Sequence, residues 1–146
     1  MKIILIGYGK MGKEIDRLAS GRGWVVGKRL DSKSPRLSQA EIGDVDIGFH
    51  FAKPETVLPT VDEWVRWNKS LVIGTTGWQA ELERVRTLVN RGTAGVVYAS
   101  NFSPGVNLFL KILQRAGDLF DKFPEYDASI HEIHHKGKVD SPSGTA

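Results

Sequence analysis

The sequence contains no cysteine among its 146 residues. Disulfide bonds, thiolate nucleophiles and zinc sites built on cysteine are therefore excluded. The sequence also lacks an apolar run of the roughly 20 residues that a membrane-spanning helix needs. The apolar segment that follows Met1 reaches Gly7 too soon to be a signal peptide. These absences predict a cytoplasmic protein with no membrane partner.

A large excess of charge of one sign is missing as well. The formal net charge is +3, and the basic residues are spread along the sequence rather than gathered in a run. This balance suits an acidic small-molecule substrate and argues against a nucleic-acid partner. Hydrophobic residues make up 40% and charged residues 25% of the chain, which is typical of a globular domain with its own core.

Short apolar runs alternate with amphipathic segments, a pattern typical of a parallel α/β sheet. Apolar residues at helical spacing predict four helices, with inner faces that begin near Met11, Val57, Leu82 and Phe109. We therefore predict a Rossmann-type, doubly wound parallel sheet. The predicted strands are Ile3–Ile6, Trp24–Lys28, Val45–Phe51, Leu71–Ile73 and Val96–Ala99.

The pattern changes after Pro124. Residues Tyr126–His135 predict one long strand with several polar side chains, and Pro142–Ala146 predict the start of a helix. We place a dinucleotide-binding domain at residues 1–124 and the beginning of a second, α+β domain at residues 125–146. Because a helix start is an unusual place for a domain to stop, we expect the sequence to be a piece of a longer chain.

Gly7, Gly9 and Gly12 follow the G-x-G-x-x-G spacing, directly after the first predicted strand and at the start of a helix. In a dinucleotide-binding loop the first glycine permits a tight turn and the second lets the backbone approach a pyrophosphate. The third lets the helix pack closely on the strand. The phosphates would lie at the helix N-terminus. The spacing alone also occurs in structural turns, but its place in this pattern favours dinucleotide binding.

Asp31 lies 19 residues after Gly12, close to the spacing of the acidic residue that binds the adenosine ribose. A turn residue is the alternative interpretation. A carboxylate here favours NADH, because it repels the 2′-phosphate of NADPH. Lys28, Arg29 and Lys33 are near enough in sequence to attract that phosphate, so the sequence leaves the preference between the two cofactors open.

Two further loops follow strands of the predicted sheet. Gly74–Gly77 comes after the fourth strand and Ala99–Gly105 after the fifth, and both are small and polar. Ligands of open α/β sheets bind beyond the carboxyl ends of the strands. Together with the glycine loop, these segments predict a nicotinamide site.

The densest group of reactive side chains lies in Glu132–Ala146. One of His134 and His135 is a candidate proton donor, because imidazole titrates near neutral pH. Lys138 would supply a cation, and donors at the predicted helix start at Ser143–Thr145 would bind an anion. A metal site at His131 and His135 is an alternative, although no third ligand is indicated. A solvated polar strand is another.

These motifs together resemble the dihydrodipicolinate reductase family. Members of that family carry a glycine loop near the N-terminus, a G-T-T-G loop, an N-F-S-x-G-V-N stretch and the signature E-x-H-H-x-x-K-x-D-x-P-S-G-T-A. The sequence shows them in the same order at Gly7–Gly12, Gly74–Gly77, Asn101–Asn107 and Glu132–Ala146. The last motif is the most specific.

The resemblance implies reduction of the cyclic dicarboxylate dihydrodipicolinate to tetrahydrodipicolinate, with NADH or NADPH, in lysine and diaminopimelate synthesis. It implies no metal ion. His134 would be the acid/base group and Lys138 a cationic proton donor, and the second domain would bind substrate and build a homotetramer. A substrate carboxylate would be held by His135, Ser143, Gly144 and Thr145. The cofactor contacts would come from Gly7, Gly9, Lys10, Met11, Gly12, Asp31, Gly74, Thr75, Thr76, Ala99, Asn101 and Phe102.

The sequence departs from the family at two points. His50 precedes Phe51 where the family usually has aspartate, and members continue for about another hundred residues, one further domain's worth. Two other functions remain open from the residues alone. One is a non-catalytic dinucleotide-binding module or redox sensor, and the other is a different small hydride-transfer enzyme such as an amino-acid dehydrogenase.

Overall fold

The computed structural model describes residues 1–134 and residue 136. The chain forms two compact units, Met1–Ala99 and Ser100–Ala146. The first unit alternates strands and helices in the predicted order. Its elements are β1 (Lys2–Ile6), α1 (Lys10–Ser20), β2 (Val25–Leu30), β3 (Ile47–His50), α2 (Val57–Arg66), β4 (Ser70–Ile73), α3 (Leu82–Val89) and β5 (Val96–Tyr98), with short 3-10 turns at Gln39–Ile42, Pro54–Thr56 and Gln79–Glu81.

The five strands form one sheet in the order β2-β1-β3-β4-β5, and every neighbouring pair is parallel. The strand order reverses between β1 and β3. The chain places β2 on one side of β1 and then crosses over β1 to add β3, β4 and β5 on its opposite side. A crevice opens beyond the carboxyl ends of the strands at such a reversal, and this is where open α/β sheets bind ligands. The loops after β1 and β3 therefore lie at the expected ligand-binding edge.

Both faces of the sheet are buried. Successive residues of β1 point to opposite faces, so Ile3 and Leu5 pack with Ala19 of α1 while Ile4 packs in the cluster that contains Trp64 of α2. All five side chains are at most 2% exposed. The predicted doubly wound parallel sheet is confirmed.

The five strands predicted for the first unit are all present, but their ends differ by a few residues. The second strand was predicted at Trp24–Lys28 and lies at Val25–Leu30. Its ends follow from its pairing with β1, in which Lys2 faces Val25 and Ile6 faces Leu30, with a bulge after Ile3. A local apolar pattern contains no information about this partner, so it could not place the ends.

The second unit contains α4 (Pro104–Phe120), which confirms the fourth predicted helix. The apolar face predicted for this helix is not covered in the structure, since Phe109 and Ile112 are 56% and 66% exposed. Among residues 1–134 and 136, no helix is long and apolar enough to cross a membrane.

The strand predicted at Tyr126–His135 is not observed. Residues 126–134 have no regular secondary structure, and His135 lies outside the described residues. An extended segment becomes a strand only by hydrogen bonding to another one, and the described part of the second unit contains no other strand. The helix start predicted at Pro142 also lies outside the described residues, and the domain boundary near residue 124 stays a prediction.

Candidate cofactor-binding site

The loop after β1 requires glycine at two of its three motif positions for its own packing. Gly7 has a φ of +96°, and a Cβ atom added there would lie 2.2 Å from the carbonyl oxygen of Phe51. A Cβ atom at Gly12 would lie 2.4 Å from the carbonyl oxygen of Gly7. The turn is fixed on its other side, where the N–H groups of Gly7 and Tyr8 both donate to the carbonyl of Leu30.

Gly9 differs from the other two glycines. Its φ of −84° is accessible to any residue, and a Cβ atom added there would meet nothing within 4 Å. Within residues 1–134 and 136, no contact explains this glycine, so its effect is to leave the backbone open from outside. It directly precedes α1, whose first turn carries no acidic residue. The N–H groups of that turn lack intrahelical partners, and together with the helix dipole they fit a pyrophosphate.

A groove of about 730 Å³ lies beyond the carboxyl ends of β1, β2 and β3. The glycine loop forms one wall and the start of α2 another. Its lining includes Gly7, Gly9, Asp31, Arg36, Lys53 and Thr56. The volume falls within the range of about 300–1,000 Å³ that small-molecule sites occupy.

Asp31 is fixed at the end of β2 by its own loop. Its Oδ1 atom accepts the N–H of Lys33 at 2.9 Å and the hydroxyl of Ser34 at 2.9 Å. These hydrogen bonds lower the pKa of Asp31, and the bond from the Lys33 N–H has the larger effect. A carboxylate that lines the groove beside the glycine loop is suited to accept hydrogen bonds from ribose hydroxyls. The turn and ribose interpretations of Asp31 are thus compatible.

Two of the three cations near Asp31 in sequence have partners elsewhere. Arg29 forms a bidentate ion pair with Asp16 of α1, at 2.6 and 2.7 Å, and Lys28 pairs with Glu41. The Arg29 guanidinium lowers the pKa of Asp16 to about 2, assisted by a hydrogen bond from the Tyr8 hydroxyl. Neither cation lines the groove, whereas Arg36 does.

The loop after β4 is joined to the end of β3 by a buried histidine. His50 is fully buried, with its Nδ1 atom 2.8 Å from the Thr75 hydroxyl and its Nε2 atom 3.1 Å from the Thr56 hydroxyl. Burial lowers the pKa of His50 to about 4, so the ring is neutral near pH 7. Thr75 is 5% exposed, and its hydroxyl contacts His50 and the N–H of Ala52 inside the protein.

In the second unit, the stretch from Asn101 to Asn107 forms the N-terminal cap of α4. The Ser103 hydroxyl accepts the N–H of Val106 at 3.4 Å, and the Asn101 side chain accepts the N–H of Ser103 at 2.8 Å. The Asn107 amide donates to the carbonyls of Asn101 and Ser103. Phe102, within this cap, is 45% exposed.

His134 lies 2.8 Å from the carboxylate of Glu132, measured from its Nε2 atom, and its side chain is 33% exposed. A carboxylate at this distance fixes the orientation of the imidazole ring. The other residues predicted for the substrate site lie outside the described residues, so the structure gives no geometry for them. They are His135, Lys138, Ser143, Gly144 and Thr145.

Comparison with known sequences gives matches over nearly the whole chain. Residues 1–102 match the family model for the N-terminus of dihydrodipicolinate reductase, and residues 105–146 match the model for its C-terminus. The chain belongs to the dihydrodipicolinate reductase family. It is 32% identical over its whole length to the 4-hydroxy-tetrahydrodipicolinate reductase of Christiangramia forsetii. It is 38% identical over 99% of its length to that of Staphylococcus epidermidis. In both cases the chain spans 61% of the length of the relative.

Among solved structures, the aspartate dehydrogenase of Thermotoga maritima is similar to the chain, with a TM-score of 0.55 and 19% identity. The match covers 78% of this chain and 52% of that protein. At this identity the likeness concerns the fold alone, and it confirms the predicted Rossmann-type class.

The structure places the predicted cofactor residues of this reductase family member in four groups. Gly7, Gly9 and Asp31 line the groove. Lys10, Met11 and Gly12 form the first turn of α1 beside it. The loops after β4 and β5 contribute Gly74, Thr75, Thr76 and Ala99, whereas Asn101 and Phe102 belong to the second unit. The roles of all these residues stay predictions.

Sequence reasoning missed several groove residues, and it missed the hydrogen bonds of His50 to Thr75 and Thr56. Arg36 and Lys53 lie in irregular loops, where no periodic pattern marks them as lining a groove. His50 carried a usable signal, because a histidine inside the apolar run of β3 needs buried hydrogen-bond partners. Among residues 1–134 and 136, no group of three or more histidine or acidic side chains could hold a metal ion.

The stability of the first unit is expected to fall between pH 6.5 and pH 4. The pKa of His50 is about 4 in the folded chain against 6.5 ordinarily, so in this range only the unfolded chain takes up the proton. The contribution to the free energy of unfolding is complete above pH 6.5 and decreases by about 3 kcal/mol by pH 4. Urea unfolding at pH 7 and pH 4.5 measures the change. His50→Asn, which lacks the titrating group, should show a flatter profile, and parallel profiles would contradict the prediction.

Proposed function

We propose that the chain carries the cofactor-binding part and the first catalytic residues of an NADH- or NADPH-dependent reductase that acts on a cyclic, unsaturated dicarboxylate, dihydrodipicolinate, in lysine and diaminopimelate synthesis. The observation that carries the proposal is the family match on both sides of residue 103, at 1–102 and 105–146. The open backbone at Gly9 supports the proposal. A Cβ atom added there would meet nothing within 4 Å, and a pyrophosphate could approach the backbone at this point.

The first unit would bind the dinucleotide. Its pyrophosphate would lie against Gly9 and the first turn of α1, and Asp31 would accept hydrogen bonds from the adenosine ribose. Gly74, Thr76 and Ala99 would line the nicotinamide, which supplies a hydride when bound. The Thr75 hydroxyl would hold the loop in place rather than contact the cofactor, because His50 engages it at 2.8 Å.

The second unit would supply the proton. Reduction of a carbon–nitrogen or carbon–carbon double bond adds one hydride and one proton, and an acidic side chain placed beside the substrate speeds delivery of that proton. His134 would hold it, with its ring oriented by Glu132 at 2.8 Å. Lys138 would serve as the cationic proton donor near the developing negative charge. His135, Ser143, Gly144 and Thr145 would hold a substrate carboxylate.

The proposal is tested by the loss of nicotinamide absorbance in the presence of the fresh condensation product of pyruvate and aspartate semialdehyde. The assay is run first on this chain and then on the full-length gene product. Substrate-dependent oxidation of NADH or NADPH is expected from the full-length protein. If that protein binds the cofactor but never oxidises it, the reductase function is wrong and a dinucleotide-binding module is the better description.

The full-length protein is also proposed to be a homotetramer and cytoplasmic, as the family resemblance implies. Light scattering coupled to size-exclusion chromatography measures the oligomeric state. A monomeric mass across a hundredfold range of concentration would contradict the tetramer.

NADH is expected to bind more tightly than NADPH, because Asp31 lines the groove while Lys28 and Arg29 have partners elsewhere. The cation that does line the groove, Arg36, forms an ion pair with Glu63. Asp31→Asn keeps an acceptor for the loop but removes the charge that repels the 2′-phosphate. We expect it to raise the affinity for NADPH relative to NADH by about tenfold, measured by nicotinamide fluorescence. The control is Asp44→Asn, which removes the same charge from the partner of Lys2, at the amino end of β1. Equal ratios in the two variants would refute the assignment.

A further inference from the structure

We propose that His50 is a positioning residue for the cofactor, which holds the loops after β3 and β4 and the start of α2 together through the Thr75 and Thr56 hydroxyls. The inference rests on the proposed dinucleotide binding and extends it to a residue that touches no ligand itself. It is carried by hydrogen bonds and packing inside the first unit.

Each nitrogen of the imidazole ring contacts a different segment of the chain. His50 is the last residue of β3. Its Nδ1 atom lies 2.8 Å from the hydroxyl of Thr75 in the loop after β4. Its Nε2 atom lies 3.1 Å from the hydroxyl of Thr56 in the 3-10 turn before α2. Only a side chain with two separated polar atoms can join both segments from this position, and a purely apolar core residue could join neither.

The protons of the network can be assigned from its neighbours. The Thr56 hydroxyl donates its one proton to the carbonyl of Lys53 at 2.7 Å, so it accepts from His50 and Nε2 must carry a proton. Nδ1 is then the acceptor in the neutral ring, and the Thr75 hydroxyl donates to it. This arrangement satisfies both ring nitrogens, and it agrees with the lowered pKa that burial produces at His50.

Thr75 is held at both of its polar ends. Its hydroxyl accepts the N–H of Ala52 at 3.1 Å, and its carbonyl accepts the indole N–H of Trp78 at 2.7 Å. The hydroxyl therefore joins the loop after β3 to the loop after β4, while the carbonyl fixes the course of the second loop. Removal of the His50 acceptor would leave the Thr75 proton with only the carbonyl oxygens of His50 and Ala52, both at 3.3 Å.

Phe51 extends the connection to the glycine loop. A Cβ atom at Gly74 would lie 2.0 Å from the Phe51 ring, and one at Gly7 would lie 2.2 Å from the Phe51 carbonyl oxygen. Phe51 thus packs without free space between the loop after β1 and the loop after β4. Since close-packed interiors transmit displacements, a shift of His50 would move the backbone expected to meet both ends of the dinucleotide.

The test uses two substitutions, each of which preserves one of the two hydrogen bonds that the His50 ring makes. Asparagine places an amide near the position of Nδ1, and glutamine places one near Nε2. The dissociation constant for NADH is measured by fluorescence on the chain as it stands. We expect His50→Asn, which loses the Thr56 contact, to bind about threefold more weakly than the unaltered chain. We expect His50→Gln, which loses the Thr75 contact between two loops, to bind about tenfold more weakly.

Thr75 provides a second pair of variants that does not alter the histidine. Thr75→Val removes the hydroxyl and should reproduce the weakening seen with His50→Gln, whereas Thr75→Ser keeps the hydroxyl and should restore the affinity. Nitrogen-15 NMR of the imidazole should show the neutral ring with its proton on Nε2 at pH 7. This last measurement requires no variant to fold.

The outcomes separate the inference from the proposed function. If the unaltered chain binds neither NADH nor NADPH, dinucleotide binding is wrong and the inference with it. If the unaltered chain binds NADH and folded His50→Gln and Thr75→Val bind it equally well, dinucleotide binding stands and the positioning role is overturned. A charged ring, or a proton on Nδ1, would also overturn it.

Discussion

Replacement of His134 by alanine is expected to lower the turnover proposed for the full-length protein about a thousandfold and to leave the dissociation constant for NADH unchanged. A positioned acid typically contributes a factor of about 10² to 10⁴ to the rate, and His134 has the oriented ring that this role needs, with Glu132 at 2.8 Å. The predicted cofactor contacts at Gly7, Gly9 and Asp31 belong to the first unit, so the change should leave them intact. Steady-state kinetics and a separate binding titration measure the two quantities.

The matched control is His131→Ala, which removes an exposed imidazole three residues earlier in the same segment. It should keep full turnover, and this variant also tests the alternative in which His131 is a metal ligand. Equal losses in the two variants would contradict the acid role of His134. A weakened affinity for NADH in His134→Ala would contradict the division of roles between the two units.

Replacement of Gly9 by alanine is expected to weaken NADH binding on the order of a hundredfold without lowering the melting temperature. The backbone at Gly9 accepts a Cβ atom, since the φ of −84° is ordinary and no atom lies within 4 Å of the added carbon. The new methyl group would instead occupy the space where a pyrophosphate approaches the backbone, and a loss of about 3 kcal/mol of binding free energy corresponds to a factor of this size. Fluorescence titration and thermal unfolding measure the two effects.

Two other glycines serve as controls for Gly9. Gly21→Ala lies at the end of α1 in an ordinary helical conformation, with its nearest contact at 3.8 Å, and should alter neither quantity. Gly12→Ala would clash with the carbonyl of Gly7 at 2.4 Å and should lower stability by about 1 to 3 kcal/mol, as overpacking does. A large loss of stability in Gly9→Ala, or unchanged NADH binding, would show that this glycine has no ligand-related role.

The geometry also explains how one carboxylate can have two roles. Asp31 closes its own turn through the N–H of Lys33 and the hydroxyl of Ser34. The same hydrogen bonds hold the carboxylate ionised and fixed in direction at the edge of the groove. A residue that is preorganised by its own loop loses little side-chain freedom when a ribose binds. The turn and ribose interpretations of Asp31 are therefore compatible, and its contact with a ribose stays a prediction.

The sequence by itself determined the type and order of the elements in the first unit, because burial on both faces of a parallel sheet requires apolar runs that alternate with amphipathic helices. It also determined the glycine loop, since a tight turn with positive φ at Gly7 and a close helix contact at Gly12 can be met only by glycine. The sequence also placed Asp31 at the end of the second strand, 19 residues after Gly12. Each of these features depends on residues that are close together in the sequence, so the sequence pattern alone is enough to predict it.

Only the tertiary structure decided which side chains meet. The partnership of His50 with Thr75 joins residues 25 positions apart, and that of Arg29 with Asp16 removes a cation that the sequence left available to NADPH. The strand predicted at Tyr126–His135 failed for the same reason, because a strand depends on a neighbour rather than on its own residues. Pairing, burial and hydrogen-bond satisfaction are properties of distant segments brought together, and one sequence read along its length does not contain them.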